Sequence, residues 1–504
     1  MSAYASPPSD AFMRSREVFE STVLELGGPE MAIKTHGELE EHLTAKAREM
    51  TRTLLQDHLD LRAIREVEHD EVVDVDEVER TRIEAGRTRK LLTVLGEVVV
   101  ERLAYREDCE SDLHPADATL NLPREKHSHG LRRLAAIESS RGSFSSAVDA
   151  IERTTGTRVG KRQVEELTRR AASDVDNFYA TRKPRPSPKS DVVVLSADGK
   201  GVVMRPDALR ESTAHAAATS ENKLTTRLSR GEKRNRKRMA EVGAVYDITP
   251  AIRTPCDIIT TDDSHERSPG PVARDKWLTA SVERGISEVI GFVFDEADRR
   301  DPKHRRPWIA LVDGNKQQID CIKAQAQQRG LEVDILIDFV HVIEYLWTAA
   351  WCFFPEGDKA AESWVGTHAL SILRGAWQSV AAAIRGKATA NDLKPDERKG
   401  ADTCAEYLTS KGAHLDYAKA LASGWPIATG IIEGACRYLV KDRMDVTGAR
   451  WGLEGAEATL KLRALISNGD FDDYWKFHLD CEQQRVHESR YFKGELPTQL
   501  ATAA

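Results

Sequence analysis

Paired cysteines, long apolar runs and net positive charge are all missing from these 504 residues. The seven cysteines lie singly with no CxxC, which excludes a regular zinc ribbon or finger and fits reduced thiols better than a disulfide framework. No stretch approaches the roughly 18 apolar residues that a membrane span needs. The start, MSAYASPPSDAFMRSREVFE, has no apolar signal core, so a cytoplasmic protein without a membrane partner is expected. A net charge of -8 excludes a uniformly basic nucleic-acid coat but not local patches. No Ser/His/Asp or Cys/His arrangement stands out, which turns attention to chemistry that needs no nucleophilic side chain.

With 40% hydrophobic and 31% charged residues, the chain can bury real cores and is expected to hold two to four domains. Residues 1–30 read as a flexible tail. In 31–127, GELEEHLTAKAREMTRTLLQDHLDLRAIREVE reads as one or two helices, and RKLLTVLGEVVVERLAY as a hairpin about Gly96. Cys109, His114, His127 and His129 match no standard zinc spacing. Residues 128–180 read as three helices, the last two forming a helix-turn-helix: one helix runs from Ser143 to Gly156 and the next begins near Val159. The second of these presents Lys161, Arg162, Gln163 and Arg169, all able to reach DNA phosphates or base edges. TRKPRPSPKSD then alternates proline with cations, so 181–190 reads as a linker.

Beyond it, Val192 to Leu195 is an apolar run suited to a doubly buried strand that ends at Asp198 and Gly199. Residues 222–238 hold eight Lys or Arg against one Glu, including Lys233, Arg234, Arg236, Lys237 and Arg238, a density that attracts polyanions. Strands are expected at 239–250 and 256–263, and a long helix at 272–300. WIALVDGN repeats the first pattern and delivers Asp313; VDILID ends at Asp338, before an apolar helix to 354. Thus 191–354 reads as the first part of a catalytic core, 355–425 as a helical insertion and 426–470 as the second part. In that second part Ile431, Ile432, Ala435, Cys436, Leu439 and Val440 form a buried stripe, while Glu433, Arg437 and Lys441 share the other face. The tail, 471–504, reads as a helix and polar end without chemistry.

Two buried strands ending in Asp-Gly, with a third acid on a later helix, fit a ribonuclease H-like mixed α/β sheet with an all-helical insertion, beside a mainly helical N-terminal DNA-binding region. Hard oxygen ligands of this kind suit Mg²⁺, with Mn²⁺ as a substitute, in a two-ion phosphoryl transfer. Asp338 and Glu344 compete with Glu433 for the third position, but lack its following Arg/Lys face.

The segments SADGKGVVMR, WIALVDGN, IDFVHVIEYLW, GWPIATGIIEGACRYLVKDRM and GARWGLEGAEATLKLRAL resemble those of bacterial insertion-sequence transposases of the ISKra type, a DDE group with a helical insertion before the glutamate. The resemblance extends to LHPADATLNLP and TGTRVGKRQVEEL, and so covers most of the chain. It implies that Asp198, Asp313 and Glu433 are the DDE triad and metal ligands, and that the reaction is cleavage at transposon ends followed by strand transfer into target DNA. It also implies a homo-oligomeric synaptic complex associated with the bacterial nucleoid. Within GARW, Arg450 is expected to contact phosphate, while Trp451 either stacks a base or packs in the core. The family's paired cysteines near the hairpin are reduced here to Cys109, so a zinc-stabilised module does not carry over. The alternative functions are a non-cutting regulator descended from such an enzyme and a nuclease without strand transfer.

Overall fold

The computed structural model describes residues 10–183, 187–219, 223–229, 232, 236–260, 266–446 and 448–497. The chain forms two compact units: one joins residues up to Ala180 with those from Asp470 onward, and the other spans Thr181–Gly469. No helix among the described residues is long and apolar enough to cross a membrane.

In the first unit, helices α1 (Met13–Leu26) and α2 (His36–Ile64) precede an antiparallel hairpin of β1 (Arg82–Thr93) and β2 (Gly96–Arg106). The Thr35 capping box sets the start of α2, which runs unbroken where one or two helices are expected. Three helices follow, α3 (His129–Arg141), α4 (Phe144–Thr155) and α5 (Lys161–Ala171). They close on a core of Leu131, Ala135, Ala147, Ile151, Val164 and Leu167. Ser143 caps α4, and Gly156, at φ 72°, ends it in the left-handed conformation that glycine adopts without Cβ strain. The helix Phe471–Glu482 returns to this unit. There the wholly buried Arg132 meets Glu482 at 2.6 Å and Glu125 at 2.5 Å. The helix Phe471–Glu482 is therefore part of the N-terminal unit.

The second unit is a mixed α/β structure around a five-stranded sheet in the order β5-β4-β3-β6-β7. Its strands are β3 (Val192–Val203), β4 (Lys237–Ile248), β5 (Ala273–Ser281), β6 (Trp308–Val312) and β7 (Asp334–Ile337). β3, β4 and β5 are antiparallel neighbours, while β6 runs parallel to β3 and β7 parallel to β6. β6 is buried along its whole length, as its unbroken apolar run requires.

The third strand corrects the reading from sequence. Cys256 belongs to a short helix, Pro255–Ile258, and the strand is ARDKWLTAS, inside the stretch expected to be helical. The first half of this edge strand, Arg274 to Lys276, is exposed and its second half, from Trp277, is largely buried, and it is followed after a short loop by helix α6 (Ile286–Arg300). Asn468, at the end of a later helix, stands against this edge: its side-chain oxygen accepts the Leu278 N–H at 2.8 Å, and its nitrogen donates to the Leu278 carbonyl at 3.0 Å.

Helix α7 (Lys316–Arg329) follows β6, and α8 (Phe339–Ala350) follows β7. The insertion comprises α9 (Lys359–Leu373), α10 (Trp377–Ala390), α11 (Lys399–Lys411) and a short helix Tyr417–Ala422. It shares one apolar core with α8 and a face of the sheet, including Val194, Ile309, Leu346, Ile384 and Leu408. Trp425 is buried in that core, and Trp364 and Trp377 pack against it. The chain then forms α12 (Gly430–Ala435), a π-helical turn (Cys436–Lys441) and α13 (Leu453–Asn468).

Candidate active site

The register of the parallel strands carries three acids to one edge. Ser196 pairs with Leu311, and Val312 with Ile337. Continuing each ladder past its last pair sets Asp198 opposite Asp313, and Asp313 opposite Asp338. Neighbouring strands lie about 4.8 Å apart, so the register brings these acids to matching positions on adjacent strands.

Each acid is differently engaged. Asp198 is half-buried; its Oδ1 accepts the Gly199 N–H at 2.6 Å and its Oδ2 accepts the Cys436 thiol at 3.3 Å. Asp313 Oδ1 accepts the Asn315 N–H at 2.8 Å, as the chain turns through Gly314, at φ 94°, into α7. A side chain at position 314 would be strained, and its Cβ would lie 2.9 Å from the Tyr407 hydroxyl. Asp338 is wholly buried and caps α8, accepting the Val340 N–H at 2.8 Å, the Thr429 N–H at 3.2 Å and the Thr429 hydroxyl. That makes Asp338 a lock between β7 and α12, with little capacity left for a metal ion.

The insertion reaches the same edge. The Tyr407 hydroxyl donates to the Asp313 carbonyl at 3.1 Å, and the Tyr417 hydroxyl to the Ile337 carbonyl at 3.0 Å. Tyr407 stacks on Tyr345 with ring centroids 3.9 Å apart. Burial above all, with the charges of Asp313, Asp338 and Glu344 adding to it, raises the Tyr407 pKa and keeps the phenol a donor.

Glu433 is exposed on α12, one turn from Thr429, whose Oγ1 lies 3.3 Å from Glu433 Oε1. The single hydroxyl proton goes to the closer Asp338, leaving Glu433 its acceptor capacity. Three residues on, Cys436 touches Asp198, in the middle of β3 rather than at the strand end expected from the sequence, so this helix is seated against the sheet by contacts on both sides of Glu433. Burial, reinforced by Asp198, pushes the Cys436 thiol well above its ordinary pKa and keeps it protonated. The expected buried stripe is present: Ile432, Ala435, Cys436, Leu439 and Val440 are buried, and Glu433, Arg437 and Lys441 face solvent. The widened turn after Ala435 is satisfied by Arg463, which donates to the Leu439 carbonyl at 2.8 Å and to the Tyr438 carbonyl. Such π turns recur at functional positions in helices.

Glu344 is exposed on α8 and paired with His341 at 3.0 Å. Burial opposes the His341 charge, but the Glu344 bond and the nearby Asp338 and Asp313 outweigh it and hold its pKa above the ordinary value. Glu241, beside Gly199 on β4, is raised chiefly by burial and in smaller part by Asp198. Among the described residues, no three His, Cys, Asp or Glu side chains already converge to hold a metal ion. The same holds for Cys109, His114, His127 and His129: Cys109 is exposed, while His114 and His129 bond the Leu103 and Asn121 carbonyls.

No family model and no curated protein matches this chain.

The expected DNA-contacting residues divide by their surroundings. Lys161, Arg162 and Arg169 are exposed on α5 and Gln163 is half-buried; Arg162 lies 3.9 Å from Glu166. Arg437 is exposed, 3.9 Å from Asp442, and Lys441 and Arg450 are exposed as well. Lys237 lies 3.7 Å from Asp445, and Arg236 is half-buried. Two assignments change. Arg238 is spent on the chain itself, donating to the Val282 carbonyl at 2.5 Å and to the Ala208 and Glu283 carbonyls at 3.3 Å. Trp451 takes the packing role: it is 6% exposed, donates to the Met444 carbonyl at 3.1 Å and lies under Arg443, 4.6 Å away. Burial pushes the Arg443 pKa down to about 10. Lys233 and Arg234 lie outside the described residues. Thr429, Tyr407 and Arg463 went unread in the sequence, and Cys436 was read only as part of a buried stripe, because each acts through a partner elsewhere along the chain.

Proposed function

We propose that this chain is a DDE-type DNA transposase with a ribonuclease H-like core, binding insertion-sequence ends and catalysing their cleavage and transfer into target DNA. The observation that carries this reading is the matched position of Asp198 and Asp313 on adjacent parallel strands, with the Glu433 helix tied to the same edge through Cys436–Asp198 and Thr429–Asp338. The donors are hard carboxylates and the sulfur that touches Asp198 is a protonated thiol, a set that suits Mg²⁺ or Mn²⁺ over zinc. Asp198, Asp313 and Glu433 are the residues that would hold the ions. Bound there, the ions supply activation of a water or 3′-hydroxyl and stabilisation of the leaving oxygen. The protein's own part is positional. Gly199 and Asn315 N–H groups orient the two aspartates, Tyr407 fixes the Asp313 turn, and Arg437 and Lys441 offer cations to the scissile strand's phosphates beside Glu433. End binding is assigned to α5, and the assembly to a homo-oligomer that pairs two ends.

The test is cleavage of DNA carrying the inverted repeats that flank the gene. Asp198→Asn, Asp313→Asn and Glu433→Gln should each abolish Mg²⁺-dependent cutting and leave end binding in gel shifts intact, while Glu344→Gln stays active. A dead Glu344→Gln beside an active Glu433→Gln would sink the choice of third acid. Arg162→Ala with Arg169→Ala should weaken end binding and flatten its salt dependence, since fewer phosphate contacts release fewer counterions. Unchanged binding would remove α5 from the DNA interface.

A further inference from the structure

A cavity in the first unit, well apart in sequence from the acids, has a wall rich in arginine. It measures about 870 Å³, within the range of small-molecule sites, and Arg89, Arg124, Arg170, Arg485 and Arg490 line it. Two acids share the wall, yet each is answered from behind. Asp117 meets Arg102 at 2.7 Å and Arg89 at 3.5 Å. Glu482 meets the buried Arg132 at 2.6 Å. Behind the wall, Glu125 is shared by Arg132 and Arg170, each at 2.5 Å, and Asp174 pairs with Arg485 at 2.9 Å. Four carboxylates thus answer five guanidinium groups. Arg124 and Arg490 have no acid within ion-pair distance among the described residues, which leaves three positive charges in surplus around one concavity.

Neither cavity histidine cancels or adds charge. His114 Nδ1 and His487 Nε2 contact the Leu103 and Leu122 carbonyls at 2.9 and 2.8 Å, and burial lowers both pKa values, which favours the neutral rings. Arg490 donates through one terminal nitrogen to Ser111 Oγ at 3.1 Å and to the Asp112 carbonyl at 2.8 Å, so its other donors remain for a ligand. Arg124 is exposed and makes no hydrogen bond or ion pair among the described residues, so every N–H of its guanidinium is available. Leu122, Val486 and the Tyr491 ring complete the wall with apolar surface.

We infer that this cavity binds a small organic polyphosphate of the nucleoside di- or triphosphate class. Guanidinium forks match phosphate oxygens, the surplus charge matches more than one phosphate, and the apolar wall accommodates a non-ionic body. A concavity of this size encloses a small molecule, whereas a duplex calls for an extended surface. The site is independent of the acids on the sheet edge.

Isothermal titration of the full chain with ATP, tripolyphosphate and inorganic phosphate, without divalent ions, tests this. We expect saturable one-to-one binding of ATP and tripolyphosphate, much weaker binding of phosphate, and at least a tenfold loss of affinity in Arg124→Ala and in Arg490→Ala. Lys394→Ala, an exposed cation of the other unit, should bind like the parent. Arg124 has no partner to lose, so that variant remains informative if Arg490→Ala misfolds. Absence of saturable heat at millimolar ATP, or undiminished affinity in Arg124→Ala, overturns the assignment. So does displacement of ATP by an equimolar short DNA duplex, which would make the cavity part of a nucleic-acid surface.

Discussion

His129 illustrates how one buried group ties stability to pH. Burial first, and then Arg132, pushes its pKa down to about 4, while its Nε2 stays bonded to the Asn121 carbonyl and its buried Nδ1 finds no partner. Between the ordinary value near 6.5 and this lower one, the unfolded chain binds the proton and the folded chain does not. Stability from this residue is therefore complete above pH 6.5 and is lost as the pH falls toward 4, by up to about 3 kcal/mol. Urea unfolding of the first unit at pH 7 and pH 4.5 should register that loss, and His129→Gln should flatten it; an equally steep fall in the variant would point to other groups. At this scale Asp313 was legible, because an apolar run that stops at Asp-Gly announces both burial and a turn; Asp198 was misplaced, since β3 continues through it to Val203 and it pairs with Val242 in mid-strand. The contacts of Cys436 and Thr429 were not legible, because the carboxylates they touch lie 238 and 91 residues away.

Among elements, α12 and its π turn depend most on a single side chain. Arg463 satisfies two carbonyls that the widened turn frees, and burial lowers its pKa without removing its charge. Arg463→Ala leaves those carbonyls to water or without a donor and should cost about 1–3 kcal/mol. Differential scanning calorimetry should show the second unit melting earlier, and any cleavage activity should fall with the loosened Glu433 helix. A melting temperature equal to the parent's would mean the turn holds without it. The stripe of this helix could be read from sequence; its π turn could not, since the spacing of apolar residues is the same on either side of Ala435. The third strand was misread for a related reason. Ala273–Ser281 sits at an edge, where solvent tolerates charges that mimic an amphipathic helix, and only the register to β4 resolves it. The bounds of α4 match the sequence because Ser143 and Gly156 are local signals, while α5 begins at Lys161 rather than near Val159.

The molecule as a whole is organised by a return of the chain. The first unit is discontinuous: Arg132, Asp174 and Tyr179 bond to Glu482, His478 and Asp470 from the far end of the sequence. Truncation after Gly469 should therefore unfold the first unit by removing partners of a buried arginine, a loss of several kcal/mol, and leave the second unit's transition in place. Calorimetry on the truncated chain should show one transition where the parent shows two; survival of both would mean the N-terminal helices hold Arg132 by other means. Such closure was invisible from sequence, since nothing local marks Glu482 or Arg485 as wall residues of a cavity formed with residues 89–173. The side chain of Asn468 has a consequence at this scale too. By occupying both backbone groups of Leu278 it stands in for one residue of a missing sixth strand, so the outer rim of the sheet offers no run of vacant donors and acceptors there to a passing chain. Asn468→Ala would reopen that rim, and its cost would appear as fibre formation in concentrated solution before it appeared as lost stability.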